Sequence, residues 1–253
     1  DTVAHALGWR EHAVVDAGSV GLGGVGTLRR VDTSIAPAET YLGVLGGPGL
    51  TAYVGLLEVA ALREGDIVWI SAAAGAVGGL AAQIAKLRGH YVVGSAGSDE
   101  KVRMLLDDYG LDAAFNYRAG PVAEQLRAAA PDGIDVYFDN VGGEHLEAAI
   151  DALQVHGRVT VCGMISQYNA TEPTPAPRNL GMIIAKRLAI RGMLVMDHTD
   201  LRPAFYREMS DWIRRGEVRY QETEFSGLRN APDAFLAMLD GHNIGKMLVR
   251  LDL

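Results

Sequence analysis

The stretch DIVWISAAAGAVGGLAAQIAKLRG, residues 66–89, joins an apolar run, a turn of small residues and an amphipathic segment. The apolar run predicts a buried strand over Asp66–Ser71. Apolar residues then recur at helical spacing: Leu80, Ile84 and Leu87. This spacing predicts a helix from about Val77 to Arg88, and a glycine such as Gly89 is typical of a helix end. A strand that leads through a tight turn directly into a helix predicts the first half of a βαβ unit.

The same alternation of strands and helices continues along the chain. A preceding helix is predicted from Thr51, as N-cap, to about Gly65. Further strands are predicted over Tyr91–Gly94, Ala113–Asn116, Ile134–Asp139, Arg158–Gly163 and Leu188–Val195. Further helices are predicted over Asp99–Tyr109 (capped by Ser98), Val122–Ala130, Glu144–Val155, Leu180–Lys186 and Arg202–Arg215. This order predicts an α/β fold, with a doubly wound, six-stranded parallel Rossmann sheet.

The two ends of the chain do not follow this alternation. Residues 1–43 contain glycine-rich turns and short extended runs such as Glu11–Asp16. The C-terminal end predicts, after a first strand, helix Pro232–Leu239 and strand Lys246–Leu251. We therefore expect a dinucleotide-binding domain over 44–215 and a second, β-rich domain built from both chain ends, 1–43 and 216–253.

Composition excludes several classes of protein. The 253 residues are 49% hydrophobic and 21% charged, as in globular rather than disordered proteins. Lys and Arg number 23 against 31 Asp and Glu, and the net charge of −8 argues against nucleic-acid binding through bulk charge. The sequence contains no run of ~18 apolar residues, so we expect no membrane span. The N-terminus resembles no signal peptide, so we expect a cytoplasmic protein whose true start lies before Asp1.

Metal binding is not expected from the sequence. Cys162 is the only cysteine, which excludes an intramolecular disulfide and a cysteine-rich zinc site. The seven histidines include no pair at ligand spacing, and His5, His12 and His145 are expected at the surface. Cys162 itself is expected to be a small, buried packing residue.

Two glycine motifs compete for the role of nucleotide-binding turn. Ala73–Gly78 reads A-x-G-x-x-G and lies between a predicted strand and a predicted helix. There Gly75 allows the backbone to approach a pyrophosphate, and Gly78 allows the helix to pack closely on the strand. The alternative is a packing site of small residues without a ligand. Gly21–Gly26 matches G-x-G-x-x-G literally but precedes no apolar helical stripe, so we predict a loop there.

The end of the second sheet strand bears on the choice of cofactor. NAD-binding sites place an acidic residue there to bind the ribose hydroxyls, but Val93–Gly97 contains none. Ser98 and Lys101 follow, and a hydroxyl with a cation suits a ribose 2′-phosphate. Alternatively, Ser98 only caps the helix and Lys101 is solvated. The acidic residues between them, Asp99 and Glu100, weaken the electrostatic argument for NADP.

Seven motifs in one order resemble a known family. They are PGLTAYVGLLEVA (48–60), AAAGAVG (72–78), GSDEK (97–101), FNY (115–117), YFDNVGG (137–143), CGMISQYN (162–169) and GHNIGKMLV (241–249). Together they resemble the prostaglandin reductase and alkenal (curcumin-type) reductase branch of the zinc-independent medium-chain dehydrogenases/reductases. The resemblance runs from about Gly8 to the C-terminus. It implies that 1–43 and 216–253 are the remnant of a GroES-like substrate domain whose N-terminal part is missing here.

The resemblance implies NADPH-dependent reduction of the carbon–carbon double bond of an apolar α,β-unsaturated ketone or aldehyde. The residues implied at NADPH/NADP are Gly75, Ala76, Val77 and Gly78 for the pyrophosphate, Lys101 for the 2′-phosphate, Tyr117 for the adenosine part and Asn140 at the sheet edge. Those implied at the nicotinamide half are Cys162, Gly163, Met164, Ile165, Ser166 and Tyr168, then Met193, Leu194 and Val195, and Asn243 from the other domain. The family also implies a homodimer formed through the last sheet strand, Leu188–Val195.

Several alternatives stay open at this stage. Tyr168 is the candidate catalytic donor to the enolate oxygen, directly or through a ribose hydroxyl, but it could only line the pocket. Tyr117 and Asn140 could simply end their strands, and Asn243 could be a turn residue. Arg118 occupies a position where relatives often carry lysine. The alternative functions are an NADPH quinone oxidoreductase of the same superfamily and a non-catalytic NADPH-binding protein.

Overall fold

The computed structural model describes residues 1–15 and 28–251. The Gly21–Gly26 motif lies outside the described residues, so its prediction as a loop stays a prediction. The described strands are β1 (Val3–Ala4), β2 (Arg29–Arg30), β3 (Ile67–Ile70), β4 (Tyr91–Ala96), β5 (Ala113–Asn116), β6 (Ile134–Asp139), β7 (Leu153–Val161), β8 (Ala189–Gly192), β9 (Glu222–Ser226) and β10 (Lys246–Arg250).

Helices alternate with the strands of the large sheet. The α-helices are α1 (Gly47–Val54), α2 (Gly78–Leu87), α3 (Asp99–Asp107), α4 (Val122–Ala129), α5 (Gly143–Ala152), α6 (Gly181–Lys186), α7 (Arg202–Arg214) and α8 (Ala231–Leu239). A π-helical turn, Gly55–Val59, continues α1. Short 3₁₀ segments cover Ala38–Leu42, Ile165–Gln167, Val195–Leu201 and Leu228–Asn230. Among the described residues, none of the helices is both long and apolar enough to cross a membrane.

Six parallel strands form the central sheet in the order β5-β4-β3-β6-β7-β8. The chain runs outward from β3 to β5 on one side, then returns to β6 and continues outward to β8. This is the order of a doubly wound dinucleotide-binding sheet, whose direction reverses between β3 and β6. The predicted fold class is therefore confirmed for the central sheet.

Apolar side chains cover both faces of this sheet. On one face, Val68, Ile70 and Phe138 belong to a buried cluster with residues of α1, α2 and α7. On the other face, Trp69 and Tyr137 belong to a cluster with residues of α4 and α5. Neighbouring residues of one strand point to opposite faces, which is why strands buried on both sides read as continuous apolar runs.

The chain ends form two small sheets beside the large one. β1 pairs with β2 antiparallel, and β9 pairs with β10 in parallel. The predicted tail order of strand, helix and strand is confirmed, and Trp9 packs edge-on against Phe235 of α8 at 5.9 Å. The two chain ends thus contact each other, while their assignment to a GroES-like domain stays a prediction.

Several element boundaries differ from the predictions. α1 begins at Gly47 rather than Thr51, because Pro48 sits in its first turn, where the missing N–H costs nothing. β8 ends at Gly192 rather than Val195, since the chain turns there into a 3₁₀ segment. The run predicted over Glu11–Asp16 forms no strand in its described part.

Candidate functional site

The candidate site lies at the carboxyl ends of the parallel strands, around the point where strand order reverses. Ligands of doubly wound sheets bind in the crevice that opens outside this point. The loops that meet there are 71–78 after β3, 97–98 after β4, 117–121 after β5, 140–142 after β6 and 162–168 after β7.

The turn after β3 is closed by backbone contacts. Ala73 N–H donates to Ser95 O at 2.9 Å, and Ala72 adopts a positive φ of 49°. A β-carbon on Gly78 would lie 2.3 Å from Ala72 O, so only glycine allows α2 to start this close to the strand. No side chain of the described residues caps α2. Gly79 N–H donates to Gly75 O at 2.9 Å, and the other N–H groups of the first turn can meet an anionic ligand. The turn therefore fits a pyrophosphate.

The C-terminal tail lies against this turn. Gly245 N–H donates to Ala74 O at 2.9 Å, and Gly75 and Gly245 form an isolated parallel bridge. Asn243 Nδ2 donates to Gly245 O at 2.8 Å, so its side chain stabilises the tail's own turn, as the alternative interpretation expected. Its role toward a cofactor stays a prediction. Nothing in the sequence indicated this bridge, because Gly75 and Gly245 lie 170 positions apart in the chain.

Lys101 lies at the start of α3 and joins two parts of the site. Its backbone N–H donates to Ser98 Oγ at 3.3 Å, which confirms Ser98 as the N-cap. Its Nζ donates to Gly241 O in the tail at 2.7 Å. Burial lowers the pKa of the Lys101 ammonium, the nearby Arg118 lowers it further, and Glu100 opposes this effect. Lys101 is thus a partly buried cation beside another cation, which favours the approach of an anion.

Tyr117 crosses from the end of β5 toward the loop after β4. A β-carbon on Gly97 would lie 2.9 Å from the Tyr117 hydroxyl oxygen, so the tyrosine rests directly on this glycine. On its other side, the ring meets His145 edge-on at 5.2 Å. His145 is 6% exposed and stacks on Trp69 at 5.7 Å, so its prediction as a surface residue is wrong. Its burial supports the position of Tyr117.

Asp139, at the end of β6, shapes the loop that follows. Its Oδ1 accepts hydrogen bonds from Tyr137 Oη at 2.8 Å, Val141 N at 2.9 Å and Gly142 N at 2.7 Å. Its Oδ2 is buried without a partner among the described residues. Burial raises the pKa of the Asp139 carboxyl, although these hydrogen bonds oppose the rise. Sequence reasoning missed this residue, and the signal was an acid at a strand end before two glycines.

Asn140 is anchored to the neighbouring strand. Its Nδ2 donates to Ser71 O at 2.7 Å, and its backbone N–H donates to Ser71 Oγ at 3.0 Å. These bonds tie the ends of β3 and β6 together at the reversal point. These contacts agree with the alternative that Asn140 is a residue that ends its strand through polar contacts. A contact between Asn140 and a cofactor stays a prediction.

The loop 162–168 folds back over the end of β6. The backbone N–H groups of Cys162 and Gly163 donate to Asp139 O at 2.8 and 3.0 Å. Ser166 Oγ donates to Val141 O at 2.6 Å. Burial and Asp139 raise the pKa of the Cys162 thiol to about 11, so it is a protonated packing residue and no nucleophile at neutral pH. Met164 and Ile165 lie in the same fold-back, between these anchors.

Tyr168 ends the 3₁₀ segment of this loop. Its side chain is 63% exposed, and its hydroxyl lies 3.5 Å from where a β-carbon on Gly163 would be. A phenolic hydroxyl that is exposed to solvent beside a sheet edge can donate to a bound carbonyl oxygen. Asn140 joins this loop to the turn after β3, because Ile165 N–H donates to Asn140 O at 3.1 Å and Asn140 Nδ2 donates to Ser71 O. The loop 162–168 and the turn 72–78 thus lie on adjacent parts of one sheet edge.

Residues 193–195 continue the edge beyond β8. Met193 N–H donates to Val161 O at 3.2 Å, and its sulfur lies 2.9 Å from where a β-carbon on Gly55 would be. Leu194 is 61% exposed.

Within the described ranges, no three His, Cys, Asp or Glu side chains cluster as metal ligands would. The expected metal independence stays a prediction.

A doubly wound sheet with a glycine turn at its reversal point is the architecture of dinucleotide-binding proteins. Residues 76–215 match the family described as zinc-binding dehydrogenase, and the chain belongs to this family. It is 42% identical over 254 residues to a putative NADP-dependent oxidoreductase, YfmJ, of Bacillus subtilis (strain 168), covering 99% of this chain and 73% of that protein.

Further relatives confirm the predicted branch. The chain is 42% identical to a 2-alkenal reductase (NADP(+)-dependent) of Nicotiana tabacum, covering 98% of this chain and 71% of that protein. The crystal structure of CurA from Vibrio vulnificus in complex with NADPH superposes with a TM-score of 0.82 at 39% identity, over 85% of this chain and 66% of that one. The chain is therefore similar to reductases that are longer than itself.

Proposed function

We propose that the protein reduces the carbon–carbon double bond of apolar α,β-unsaturated ketones or aldehydes with NADPH. One observation carries the proposal: the glycine turn, the residues Lys101 and Tyr117, and the loop with Tyr168 lie at the same edge of the sheet. Relatives named 2-alkenal reductase, (+)-pulegone reductase and prostaglandin reductase 1, each at 41–42% identity, support this substrate class.

NADPH binding is assigned to the same residues that the sequence predicted. Gly75–Gly78 and the first N–H groups of α2 hold the pyrophosphate, and Lys101 holds the 2′-phosphate beside Tyr117. Asn140 borders the crevice between these two halves. The nicotinamide half is assigned to Cys162–Ser166 and Tyr168, with Met193–Val195 and Asn243 bordering it. NADPH supplies the hydride when it is bound.

The protein's own contribution to the reaction is assigned to Tyr168. Hydride addition at the β-carbon builds negative charge on the carbonyl oxygen, and a hydrogen-bond donor there lowers the barrier. The exposed hydroxyl of Tyr168 is that donor, directly or through the nicotinamide ribose hydroxyl. The α-carbon then takes its proton from this hydroxyl or from water.

The experiment is stopped-flow oxidation of NADPH with a panel of enones and alkenals, run beside a panel of quinones. Saturable reduction of enones, with the saturated ketone as product, supports the proposal. Turnover of quinones alone would instead identify the quinone oxidoreductase. Binding of NADPH without turnover of either panel would leave the non-catalytic binding protein. The chain covers 71–73% of the length of these relatives.

Three further assignments belong to this proposal. Residues 1–43 and 216–253 form the remnant of a GroES-like domain, supported by the contact between Trp9 and Phe235. Two copies associate through β8, which is one of the two outer strands of the sheet. The protein works in the cytoplasm, where a free thiol such as Cys162 stays reduced.

A further inference from the structure

Arg118 lies just beyond β5, where one side chain fixes its backbone. Its N–H donates to Asn116 Oδ1 at 3.0 Å, and Asn116 Nδ2 donates to Asp99 Oδ1 at 2.7 Å. The amide of Asn116 thus joins the end of β5 to the first turn of α3. This hydrogen bond fixes the position of the Asp99 carboxylate but leaves its negative charge in place.

The guanidinium of Arg118 packs over Tyr117. Its Cζ lies 5.8 Å from the centroid of the Tyr117 ring, which is cation–π distance. Among the described residues, no carboxylate forms an ion pair with Arg118 or with Lys101. The Tyr117 ring therefore supports this cation without neutralising its charge.

The two cations act on one another. Arg118 is close enough to Lys101 to lower the pKa of its ammonium. Lys101 also commits one of its three N–H donors to Gly241 O. A doubly charged phosphate needs more donors than Lys101 retains, and an anion between the two cations relieves their repulsion.

We propose that Arg118 is a second cation for the ribose 2′-phosphate and sets, together with Lys101, the preference for NADPH over NADH. The inference rests on the proposed function, because it assigns a residue to the cofactor site proposed there. Its guanidinium offers a planar pair of donors that matches two phosphate oxygens.

The test measures binding of adenosine 2′,5′-bisphosphate and of 5′-AMP by isothermal titration calorimetry, without turnover. The two probes differ only in the 2′-phosphate. Arg118→Gln should weaken the bisphosphate by about tenfold, the scale of one charge-assisted contact at a partly exposed site, and leave 5′-AMP unchanged. Arg118→Lys keeps the charge and should lose less. Arg127→Gln, an exposed arginine of α4, is the matched control and should change neither affinity.

Three outcomes would overturn the inference. One is that Arg118→Gln binds the bisphosphate as well as Arg127→Gln does. Another is an equal loss for both probes, which would reduce Arg118 to support for the Tyr117 ring. In both cases the wild-type protein still prefers the bisphosphate, so the proposed function stands. The third outcome is equal binding of both probes by the wild-type protein. It would show that the protein has no 2′-phosphate site, and it would contradict the proposed NADPH dependence as well.

Discussion

Burial decides which polar side chains near the sheet edge can exchange protons. His145 is 6% exposed, its Nε2 has no partner among the described residues, and burial lowers its pKa to about 4. The Cys162 thiol stays protonated for the same reason. Tyr168, by contrast, is 63% exposed in the loop proposed to bind the nicotinamide half. Of these three side chains, Tyr168 is therefore the one that is open to solvent.

Tyr168→Phe tests the proposed donor, because it keeps the ring and removes the hydroxyl. If the hydroxyl supports the enolate oxygen, kcat should fall by about 10²–10³, the scale of one lost oxyanion donor. A donor that acts through the ribose hydroxyl would give a smaller loss of about tenfold. Single-turnover hydride transfer with deuterated NADPH measures the chemical step. An unchanged transfer rate would assign Tyr168 to the pocket wall.

His145→Phe tests the cost of keeping a neutral imidazole between Trp69 and Tyr117. In the unfolded chain, the His145 imidazole binds a proton below the ordinary histidine pKa of 6.5. In the folded protein it binds this proton only below about pH 4. Stability from this group is therefore present above pH 6.5 and is lost as the pH falls. At pH 5 the loss should be about 2 kcal/mol, and His145→Phe, which keeps the stacking, should not show it.

The measurement is urea unfolding of both proteins at pH 7.5 and pH 5. Other titrating groups are common to the two proteins, so only the difference between them reports on His145. A wild-type protein that loses no more stability than His145→Phe at pH 5 would show that the imidazole titrates normally.

At the scale of elements, the sequence predicted those strands whose limits depend only on neighbouring residues. The strands β3, β5 and β6 begin and end within a residue of their predictions, because apolar runs between turn residues define them. Contacts between distant parts of the chain left no such pattern. Gly245 bridges Gly75, and Lys101 reaches Gly241, only because the tail packs on the sheet edge. His145 was misplaced for the same reason, since its burial comes from Trp69 on another element.

Gly78→Ala tests the close start of α2. The added β-carbon would lie 2.3 Å from Ala72 O, which is backbone and cannot move aside cheaply. We expect a loss of about 1–3 kcal/mol in the free energy of unfolding, as for other overpacked sites, and weaker NADPH binding. Gly181→Ala is the matched control, because Gly181 also begins a helix but has open space around it.

Urea unfolding and fluorescence titration with NADPH measure both effects. Gly181→Ala should leave stability and affinity nearly unchanged. If Gly78→Ala behaved like this control, the close approach of α2 to the strand would not matter for the nucleotide turn.

At the scale of the whole molecule, β8 ends the sheet with one edge unpaired among the described residues. Exposed apolar side chains flank β8 along the chain: Leu180, which precedes α6, Ile184 of α6, which is 82% exposed, and Leu194 at 61%. An open strand edge flanked by apolar side chains favours association, and pairing of two identical edges across a two-fold axis closes the assembly. The described strand β8 is thus where the proposed homodimer would form.

Ile184→Asp tests this assembly by placing a charge on the exposed apolar position of α6, the helix that precedes β8. Light scattering of the wild-type protein at micromolar concentration should give twice the chain mass of 27.0 kDa, and the variant should shift toward the single-chain mass. Burying an unpaired carboxylate at an interface costs several kcal/mol, which is enough to dissociate a micromolar dimer. Leu106→Asp, on α3 at the other side of the sheet, should remain a dimer. A single-chain mass for the wild-type protein would refute the dimer, and equal dissociation by both variants would move the interface away from β8.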